Sequence, residues 1–585
     1  MCGIFGVANG CDAIGRILLE GLKALEYRGY DSAGMATLHN REILLKKDKG
    51  KIDEIDAELN FHELKGNIGI AHTRWATHGK VSKENAHPHL SCNKKIAIVH
   101  NGIIENYAEL KEELIKKGHQ FASETDSEVI AHLIEEELKE KDIREAFINA
   151  IKKLKGSYAI ICIYAEKPNM LLAAKKDSPL IIGLGNNKTY LASDIVAFLQ
   201  FTKKAIFLED YDIVFATKDS VKIWNLKENK EVKRDILLLN WNAEEAKKCG
   251  YEHYMLKEIF EQKESCKRAL MQKEEEIAKA VKLIKNSEKI FLIGCGTSFH
   301  ACHAAAYLFQ KAGILSFPIL ASEFENYKNL LNENTLIIAV SQSGETADVL
   351  QAVKIAKEKN CKVLAIVNRV GSSLTRIADL SIMMNSGPEI CVLATKTFTA
   401  QLCILLMLIK KLKNEIIENK FLEEIDRILQ KEYVQKIFAL AEKLADKESI
   451  YLIGRDLQYS TALEAALKIK EVSYIHAEAL AGGELKHGTL ALIEDGTPVI
   501  VFVSEENKER IISNANEVKA RGAFLIGVSA EKHKIFDFWI DVKELNEFNP
   551  IVQIIPMQLL AYKLALLKGY DPDKPRNLAK SVTVL

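Results

Sequence analysis

The chain has 585 residues, and its 80 Lys and Arg balance its 80 Asp and Glu, so the formal net charge is zero. Hydrophobic residues make up 48% and charged residues 27%, which excludes a disordered chain, a collagen-like chain and a disulfide-rich scaffold. Without a basic excess, we expect no nucleic-acid partner. At about 150 residues per domain, the length predicts about four folding units.

The eleven cysteines are scattered, and none belongs to a Cys-x-x-Cys pair. This pattern indicates reduced thiols and predicts a cytoplasmic protein. The first residues lack the basic and apolar regions of a signal peptide, and the apolar run 401–409 is too short to cross a bilayer, so no membrane partner is expected. Four histidines lie within 72–89, but no Cys or acidic residue stands at ligand spacing among them, so we predict no metal.

Residues 2–225 have the pattern of an α+β layered domain, with many short strands and a few helices. Apolar runs predict strands at 68–72, 95–100, 158–164, 171–174, 180–183, 189–192, 205–208 and 212–217. Helical periodicity predicts helices at 13–26, 104–118, 125–139 and 142–154. The polar stretch from 218 predicts a last hairpin, and we interpret 226–250 as a linker.

Beyond the linker, strand and helix alternate, after a long helix predicted over 252–284. The sequence IFLIG at 290–294 returns as IYLIG at 450–454, and TLIIAVS at 335–341 resembles TPVIVFVS at 497–504. The repeat predicts two copies of a parallel α/β unit, over 251–420 and 421–570, with helices connecting them and a tail at 571–585. Three units therefore replace the four that the length suggested.

Cys2 is the first candidate for chemistry, because it follows only the initiator Met. Removal of Met1 would place a thiol and an α-amine on one residue, and an amine with a pKa of about 7.7–8.0 can act as a base near neutral pH. An ordinary cysteine near a terminus is the alternative.

Two strand ends carry further polar groups, in His72-Thr-Arg-Trp-Ala-Thr-His-Gly79 and His100-Asn-Gly-Ile-Ile-Glu-Asn106. Asn101 and Gly102 form either a simple turn or an oxyanion hole. Arg74 could hold a carboxylate with two hydrogen bonds, and Asp126 could bind an ammonium group or cap a helix.

These segments, together with Glu26-Tyr-Arg-Gly-Tyr-Asp-Ser-Ala-Gly34 and Ser123-Glu-Thr-Asp126, resemble the N-terminal nucleophile (Ntn) domain of class II glutamine amidotransferases. The resemblance implies that Cys2 attacks the side-chain amide of L-glutamine and releases ammonia, while Asn101 and Gly102 hold the oxyanion. It further implies that glutamine is bound by Arg74, Trp75, Thr77, His78, Gly79, His87 and Asp126. Ammonia would pass inside the protein to a second site, with Trp75 as the gate.

Two loops after strands, Gly294-Cys-Gly-Thr-Ser298 and Ser341-Gln-Ser-Gly-Glu-Thr346, are rich in glycine and hydroxyl groups. Backbone N–H groups and hydroxyls at a helix N-terminus suit a phosphate, although each loop alone could be a helix cap. Phe299 stands where a dinucleotide-binding motif needs a third glycine.

These loops and the repeat resemble the sugar isomerase (SIS) domain. The resemblance implies a sugar-phosphate site formed by Gly296, Thr297, Ser298, Ser341, Gln342, Ser343, Thr346, Val392, Ala394 and Lys468. An amidotransferase domain before two SIS domains is the arrangement of enzymes that convert fructose 6-phosphate and L-glutamine into glucosamine 6-phosphate and L-glutamate. Those relatives imply a homodimer without a metal or other cofactor.

Glu464, Lys468 and Glu471 fall on one face of a predicted helix, which is typical of a solvent-facing ladder of ion pairs. The resemblance instead implies that Glu471 moves a proton between C1 and C2 of the sugar. His487 would open the sugar ring, since histidine titrates in a useful range. Lys580 would form a Schiff base at C2, an assignment that depends on the resemblance alone.

The departures from the family pattern are few. Ala394 replaces a serine expected to touch the sugar, and Thr489 stands where proline is usual. Two other functions therefore stay open, an amidotransferase with another phosphosugar acceptor and a non-catalytic sugar-phosphate sensor.

Overall fold

The computed structural model describes residues 2–9, 14–75, 79–239 and 248–583. Contacts divide the chain into two compact units, residues 1–246 with 579–585, and residues 247–578. The first unit is rich in antiparallel strands, and the second alternates strands with helices.

The described part of the first unit contains fifteen strands and five α-helices. The strands are β1 (Gly3–Asn9), β2 (Ser32–His39), β3 (Glu42–Lys49), β4 (Ile68–Arg74), β5 (His89–Leu90), β6 (Ile96–Ile104), β7 (Gly156–Tyr164), β8 (Leu171–Lys176), β9 (Ile181–Gly185), β10 (Lys188–Ala192), β11 (Lys204–Phe207), β12 (Asp212–Ala216), β13 (Val221–Asn225), β14 (Lys230–Val232) and β15 (Ile236–Leu238). The helices are α1 (Ile14–Ala24), α2 (Ile52–Leu59), α3 (Tyr107–Lys116), α4 (Glu128–Glu137) and α5 (Ile143–Lys152). Every strand and helix predicted before residue 218 coincides with one of these elements, whereas β1 to β3, β5 and α2 were not predicted. β15 was also not predicted, because it lies in the stretch interpreted as a linker.

These strands form two packed sheets, an eight-stranded one in the order β15-β11-β9-β10-β1-β4-β2-β3 and a seven-stranded one in the order β14-β13-β12-β8-β7-β6-β5. The alternation of side chains along β6 explains the layers. Ala97 and Val99 lie in the core that also holds Ile4 and Ile70 of the other sheet, whereas Ile98 packs with the helices. The predicted α+β layered domain is confirmed.

The second unit contains two parallel α/β copies and their connecting helices. The strands are β16 (Lys289–Gly294), β17 (Ser316–Leu320), β18 (Thr335–Ser341), β19 (Lys362–Val367), β20 (Leu380–Met383), β21 (Ser449–Gly454), β22 (His476–Ala481), β23 (Pro498–Phe502), β24 (Phe524–Ser529) and β25 (Phe538–Asp541). The helices are α6 (Tyr254–Phe260), α7 (Gln262–Leu270), α8 (Glu274–Lys285), α9 (Thr297–Lys311), α10 (Ala347–Glu358), α11 (Ser373–Ile377), α12 (Lys396–Leu412), α13 (Lys420–Ile428), α14 (Lys431–Leu444), α15 (Leu457–Ser473), α16 (Lys508–Lys519) and α17 (Asn549–Leu567).

The two copies have the same topology. Their sheets are ordered β17-β16-β18-β19-β20 and β22-β21-β23-β24-β25, and all their strand pairs are parallel. One continuous apolar core contains α9, α12, α15 and α17. The prediction of two α/β units with parallel sheets is confirmed.

The single helix predicted over 252–284 is wrong, because the segment forms three helices, α6, α7 and α8. Met271 and Lys273 have non-helical backbone angles, with ψ of 68° and 128°. Three glutamates at 274–276 then begin α8, where the helix dipole favours negative charge. The apolar periodicity continued across the break and concealed it.

One described helical segment, Asn546–Leu567, is long and apolar enough to cross a membrane, but 83% of its most apolar window is buried inside the protein. Such burial is typical of a core helix. All ten cysteines in the described ranges are free thiols.

Candidate functional site

Cys2 lies directly before β1, and its thiol meets the backbone that follows β4. The Trp75 N–H donates to Cys2 Sγ at 3.2 Å, and the thiol donates to the Trp75 carbonyl at 3.4 Å. Burial raises the pKa of the Cys2 thiol, while the Trp75 N–H and the charge of Arg74 act in the opposite direction. The thiol is thus fixed at the end of a strand and needs a base to become a nucleophile.

Asn101 and Gly102 lie on β6, which reaches the same place. The Asn101 side-chain amide donates to the Cys2 carbonyl at 2.7 Å, and its oxygen lies 3.2 Å from His72 Nε2. Gly102 has φ of +132°, and a Cβ there would lie 2.0 Å from the Ser157 carbonyl oxygen. Only glycine fits this backbone, which continues β6 directly beyond the Asn101 amide that contacts residue 2.

Arg74 and Asp126 are both buried near this thiol. Arg74 ends β4, and its guanidinium donates to the carbonyls of Lys80 at 3.3 Å and Gly79 at 3.5 Å. Asp126 precedes α4 and accepts from the Ile104 N–H at 2.8 Å. Burial lowers the pKa of Arg74, and the charges of Cys2 and Asp126 oppose that shift. A buried cation and a buried carboxylate therefore lie within electrostatic reach of one another, as the binding of an amino acid with its own two charges would require.

His87 stacks on His72 at 4.1 Å between ring centroids. Burial lowers the pKa of His72 to about 3 and that of His87 well below its usual value, so both rings are neutral near pH 7. Trp75 packs edge-on against Tyr30 at 5.6 Å. Two residues of the predicted glutamine pocket, Thr77 and His78, lie outside the described residues.

The motif at 26–34 contributes support that the sequence did not reveal. A Cβ on Gly29 would lie 2.6 Å from the backbone of Arg74. Arg28 forms a fully buried ion pair with Asp194 at 2.8 Å. Glycine at 29 thus lets the chain pack directly beneath the Arg74–Trp75 peptide. Arg28 holds the motif in place, whereas Asp31 lies close enough to the thiol for its charge to raise the pKa of Cys2.

In the second unit, the loop at 294–298 joins β16 to α9. Gly296 has φ of +52° and no neighbouring atom closer than 4.0 Å to the position of a Cβ, so its outer face is open. Ser298 accepts from the side-chain amide of Gln401 at 3.1 Å, a neighbour that no sequence motif indicated.

The second loop follows β18 and is folded by its own hydroxyls. Ser341 Oγ lies 3.1 Å from Thr346 Oγ1 and accepts from the Gly344 N–H at 3.0 Å. Ser343 Oγ accepts from the Glu345 N–H at 3.2 Å. Gln342 is half-buried, and its carbonyl accepts from Asn368. The loop thus gathers three hydroxyls at the carboxyl end of a parallel strand.

The face of α15 predicted as a ladder is buried, so its solvent-facing interpretation is wrong. Lys468 Nζ lies 2.7 Å from Glu471 and 3.3 Å from Glu464, and the side chains of Glu464 and Lys468 are fully buried. The Glu471 side chain keeps 20% of its surface exposed. Burial opposes the charge of Lys468, but the two carboxylates raise its pKa above the usual value, so it stays a cation.

This ladder touches the first loop. Lys468 Nζ donates to Thr297 Oγ1 at 2.9 Å, and Thr297 donates to Glu464 at 3.0 Å. Glu464 also lies 2.7 Å from His300 Nδ1. The sequence did not indicate this contact, because His300 is not part of a recognised motif. Lys468 finally donates to the Ala394 carbonyl at 3.3 Å. Residues of both α/β copies thus meet at one buried cluster.

Three further residues predicted for the sugar site are Val392, His487 and Lys580. Val392 is buried, and its N–H donates to the Asp573 carbonyl at 3.3 Å. His487 ends a short 3-10 helix and is exposed, and within the described chain no hydrogen bond or ion pair joins it to Lys468 or Glu471. Lys580 is half-buried and groups by contacts with the first unit.

Comparisons with known proteins agree with this geometry. A family model described as a glutamine amidotransferase domain matches residues 72–200, and one described as an SIS domain matches 283–411 and again 443–568. Glutamine–fructose-6-phosphate aminotransferase (isomerizing) of Pyrococcus horikoshii is 48% identical, with all of both chains covered. Its namesake from Thermococcus kodakarensis is 47% identical with the same coverage. The chain belongs to the isomerizing glutamine–fructose-6-phosphate aminotransferase family.

A solved structure supports the second half separately. The C-terminal domain of glucosamine-fructose-6-phosphate aminotransferase from Francisella tularensis is 36% identical and has a TM-score of 0.51, covering 56% of this chain and 99% of that domain. The predicted class of enzyme, an aminotransferase with a glutamine amidotransferase domain and a repeated SIS domain, is confirmed. The two alternative functions lose their support, since relatives that match along the whole chain carry a single name.

Proposed function

We propose that this member of the aminotransferase family transfers the amide nitrogen of L-glutamine to D-fructose 6-phosphate and isomerizes the product to D-glucosamine 6-phosphate, releasing L-glutamate. The carrying observation is the cluster of Thr297, Glu464, Lys468 and Glu471, in which only Glu471 among the three ladder residues keeps an exposed edge. A carboxylate held by a buried ammonium beside a hydroxyl-rich loop suits proton transfer on a phosphosugar.

At the first centre, Cys2 would be the nucleophile once Met1 is removed, and its own α-amine would take the thiol proton. Sγ bonds to the side-chain carbonyl carbon of glutamine, and the C–N bond breaks as the α-amine passes its proton to the leaving nitrogen, which departs as ammonia. Water then hydrolyses the thioester on Cys2 and releases L-glutamate. Asn101 and Gly102 would donate to the oxyanion that develops. Arg74 would hold the α-carboxylate and Asp126 the α-ammonium group, with Trp75, Thr77, His78, Gly79 and His87 around them.

At the second centre, Ser341, Ser343 and Thr346 would hold the phosphate, together with the first loop at Gly296, Thr297 and Ser298. Such binding uses neutral hydroxyls and backbone N–H groups, as at other helix N-termini. Gln342, Val392 and Ala394 would contact the sugar. Lys580 would form the Schiff base at C2, and His487 would open the ring.

Within the ladder, burial assigns different roles. Glu471 can touch substrate and would carry the proton between C1 and C2. Lys468 and Glu464 are fully buried, so they act as positioning residues: Lys468 holds the Glu471 carboxylate, and Glu464 holds Lys468. We infer further that the protein works in the cytoplasm as a homodimer, as the scattered free thiols and the family resemblance suggest.

The test is to assay Cys2→Ala and Lys580→Ala for both half reactions with L-glutamine and fructose 6-phosphate. Cys2→Ala should abolish glutamine-dependent synthesis and leave sugar isomerization intact, because only the nucleophile is lost. Lys580→Ala should abolish synthesis and retain glutaminase activity. Cys249→Ala, which removes an exposed thiol, is the matched control. Synthesis at the wild-type rate in either variant would refute the role of that residue.

A further inference from the structure

A second cluster of chemically reactive side chains lies in the first unit, apart from the contacts of Cys2. It consists of Cys92, His119, His132 and Glu135, and their potential ligand atoms all lie within 4.8 Å of one another. Both histidines are buried, Glu135 is half-buried and Cys92 is exposed. The four residues come from three segments: the turn between β5 and β6, the loop after α3, and α4. No local motif joins them.

Four of the six distances between the ligand atoms match the edges of a tetrahedron around a metal ion. Cys92 Sγ lies 3.7 Å from His119 Nδ1 and 3.5 Å from His132 Nδ1. Glu135 Oε2 lies 3.3 Å from His119 Nδ1 and 3.6 Å from His132 Nδ1. Tetrahedral zinc, with the usual bond lengths to sulfur, nitrogen and oxygen, requires about 3.6 Å for a sulfur–nitrogen edge and about 3.4 Å for a nitrogen–oxygen edge.

The outer ring nitrogens are already oriented. His119 Nε2 lies 3.0 Å from Glu136, and His132 Nε2 lies 3.5 Å from Glu128. Metal-binding histidines usually direct their other nitrogen to a carboxylate in this way, which fixes the tautomer and leaves the inner nitrogen free to bind. Both histidines of the cluster therefore present Nδ1 to its centre.

The fourth ligand is fixed by backbone. Glu135 Oε1 accepts from the Asn93 N–H at 2.9 Å, and Oε2 accepts from the Cys92 N–H at 3.0 Å. His132 and Glu135 lie three residues apart on α4, so they share one face of the helix. A cleft lined by Cys92, His119 and Glu135 gives a cation access from the surface.

We propose that Cys92, His119, His132 and Glu135 bind one zinc ion, which ties the turn after β5 and the loop after α3 to helix α4. Soft sulfur and imidazole ligands favour zinc and disfavour magnesium or calcium. A thiolate and a carboxylate together neutralise a divalent ion, so the partly buried site carries no net charge. On binding, the Cys92 thiol gives its proton to solvent as the sulfur–zinc bond forms.

The geometry assigns the ion a structural role, because all four positions are filled by protein and none is left for water or substrate. The position of the ion also affects the neighbouring segment that carries Asp126. Helix α4 follows directly on Asp126, and Glu128 joins the cluster to that segment through hydrogen bonds to the Ala122 and Ser123 N–H groups. Zinc would therefore stabilise the segment that carries Asp126.

The experiment measures zinc in the full-length protein, produced in zinc-supplemented medium and purified without a chelator or a histidine tag. Elemental analysis should find about one zinc per chain. Cobalt added to the metal-free protein should give the absorption of a tetrahedral cobalt–thiolate site. Removal of zinc from the wild-type chain should lower its melting temperature, a measurement that needs no variant.

The variants locate the site. Cys92→Ser should lose the zinc and the cobalt–thiolate band, His132→Gln should lose the zinc, and Cys249→Ser should keep both. Glu136→Gln should weaken zinc binding by about 10- to 100-fold, because it releases His119. Wild-type protein that contains no zinc and gives no cobalt–thiolate band would overturn the proposal. Full retention of zinc by both Cys92→Ser and His132→Gln would overturn it equally.

Discussion

The two α/β copies of the second unit share a backbone but differ in chemistry. Their five-stranded sheets have the same strand order. In both copies the residue just before the helix that follows the first strand, α9 after β16 and α15 after β21, has a positive φ. Gly296 has φ and ψ of 52° and −125°, and Asp456, 160 residues later, has 54° and −128°. In the first copy the position is a glycine with open space beside it, whereas in the second it is an aspartate paired with Arg510.

The next loop differs in the same direction. Phe291 pairs with Ile337 in the first copy, and Tyr451 pairs with Val499 in the second, which sets Ser343 opposite Glu505 in the alignment of the copies. A carboxylate at 505 would repel a phosphate. Under the proposed function, the comparison predicts that the phosphate binds in the first copy and not in the second.

In the helices, the charged residues belong to the second copy instead of the first. Helix α9 has the apolar Ala304 and Leu308 where α15 has Glu464 and Lys468, at the same offset of 160 residues. The first copy thus supplies the binding loops and the second supplies the charged helix. Under the proposed function, a single sugar-phosphate site would take its loops from one copy and its charged helix from the other.

Among the variants that test this division between the copies, Lys468→Met should have the largest effect. Loss of the ammonium leaves the buried Glu464 carboxylate without its cation beside the partly exposed Glu471, and breaking such a buried pair costs about 3–5 kcal/mol. We expect the free energy of unfolding by urea to fall by that amount for the second unit, and synthesis of glucosamine 6-phosphate to disappear while glutaminase activity remains.

Lys311→Met in α9 is the matched control. Lys311 pairs with Glu506 at the surface, with 47% and 49% of the two side chains exposed. Surface pairs contribute about 0–1 kcal/mol, so both activities should persist. Equal losses in the two variants would contradict the asymmetry between α9 and α15.

The exchange Ser343→Glu should have the next largest effect, because it gives the first copy the residue of the second. Like charges placed together cost several kcal/mol, so the KM for fructose 6-phosphate should rise by roughly 100-fold or more. The reciprocal change, Glu505→Ser, should leave that KM within about 2-fold. Steady-state kinetics at saturating glutamine decide the matter, and a large effect of Glu505→Ser would place a phosphate in the second copy.

The smallest expected effect comes from Ala394→Ser, which restores the hydroxyl that the family pattern predicts. Ala394 is half-buried, and its carbonyl accepts from Lys468 at 3.3 Å. One hydrogen bond contributes about 1 kcal/mol, so the KM for fructose 6-phosphate should fall by roughly 5-fold with kcat unchanged. An unaltered KM would mean that the side chain at 394 does not reach the sugar. Ala400→Ser, at a buried position of α12, tests for a general effect of added hydroxyls.

Much of the fold was readable because periodicity is local. Alternating or continuous apolar runs predicted β6, β7 and β8, and the repeat of IFLIG as IYLIG predicted two α/β copies. The break at Met271 was missed, since the apolar pattern continues on both sides of it. The strand β2 was missed because it is rich in alanine and glycine, which are weak strand formers, and β3 was missed because it ends in the charged run 46–49.

The residues of the candidate sites also fall into two groups, those within sequence motifs and those outside them. Cys2, Arg74 and the loop at 341–346 stand in recognisable motifs, so the sequence alone, together with its resemblance to a family, identified them and the reaction. His300, Gln401 and Glu135 stand in none, and only packing brings them to their partners.

Sequence by itself determined which residue types are present and the order of the domains, because the cysteine at residue 2, the two loops rich in glycine and hydroxyl groups, and the repeat are properties of spacing. Tertiary structure alone decided burial. It turned the ladder of Glu464, Lys468 and Glu471 from a surface pattern into an enclosed charge cluster, and it gathered Cys92 and His119 around α4. Helical spacing fixes which side chains share a face, but the elements packed against that face set whether it meets water or protein.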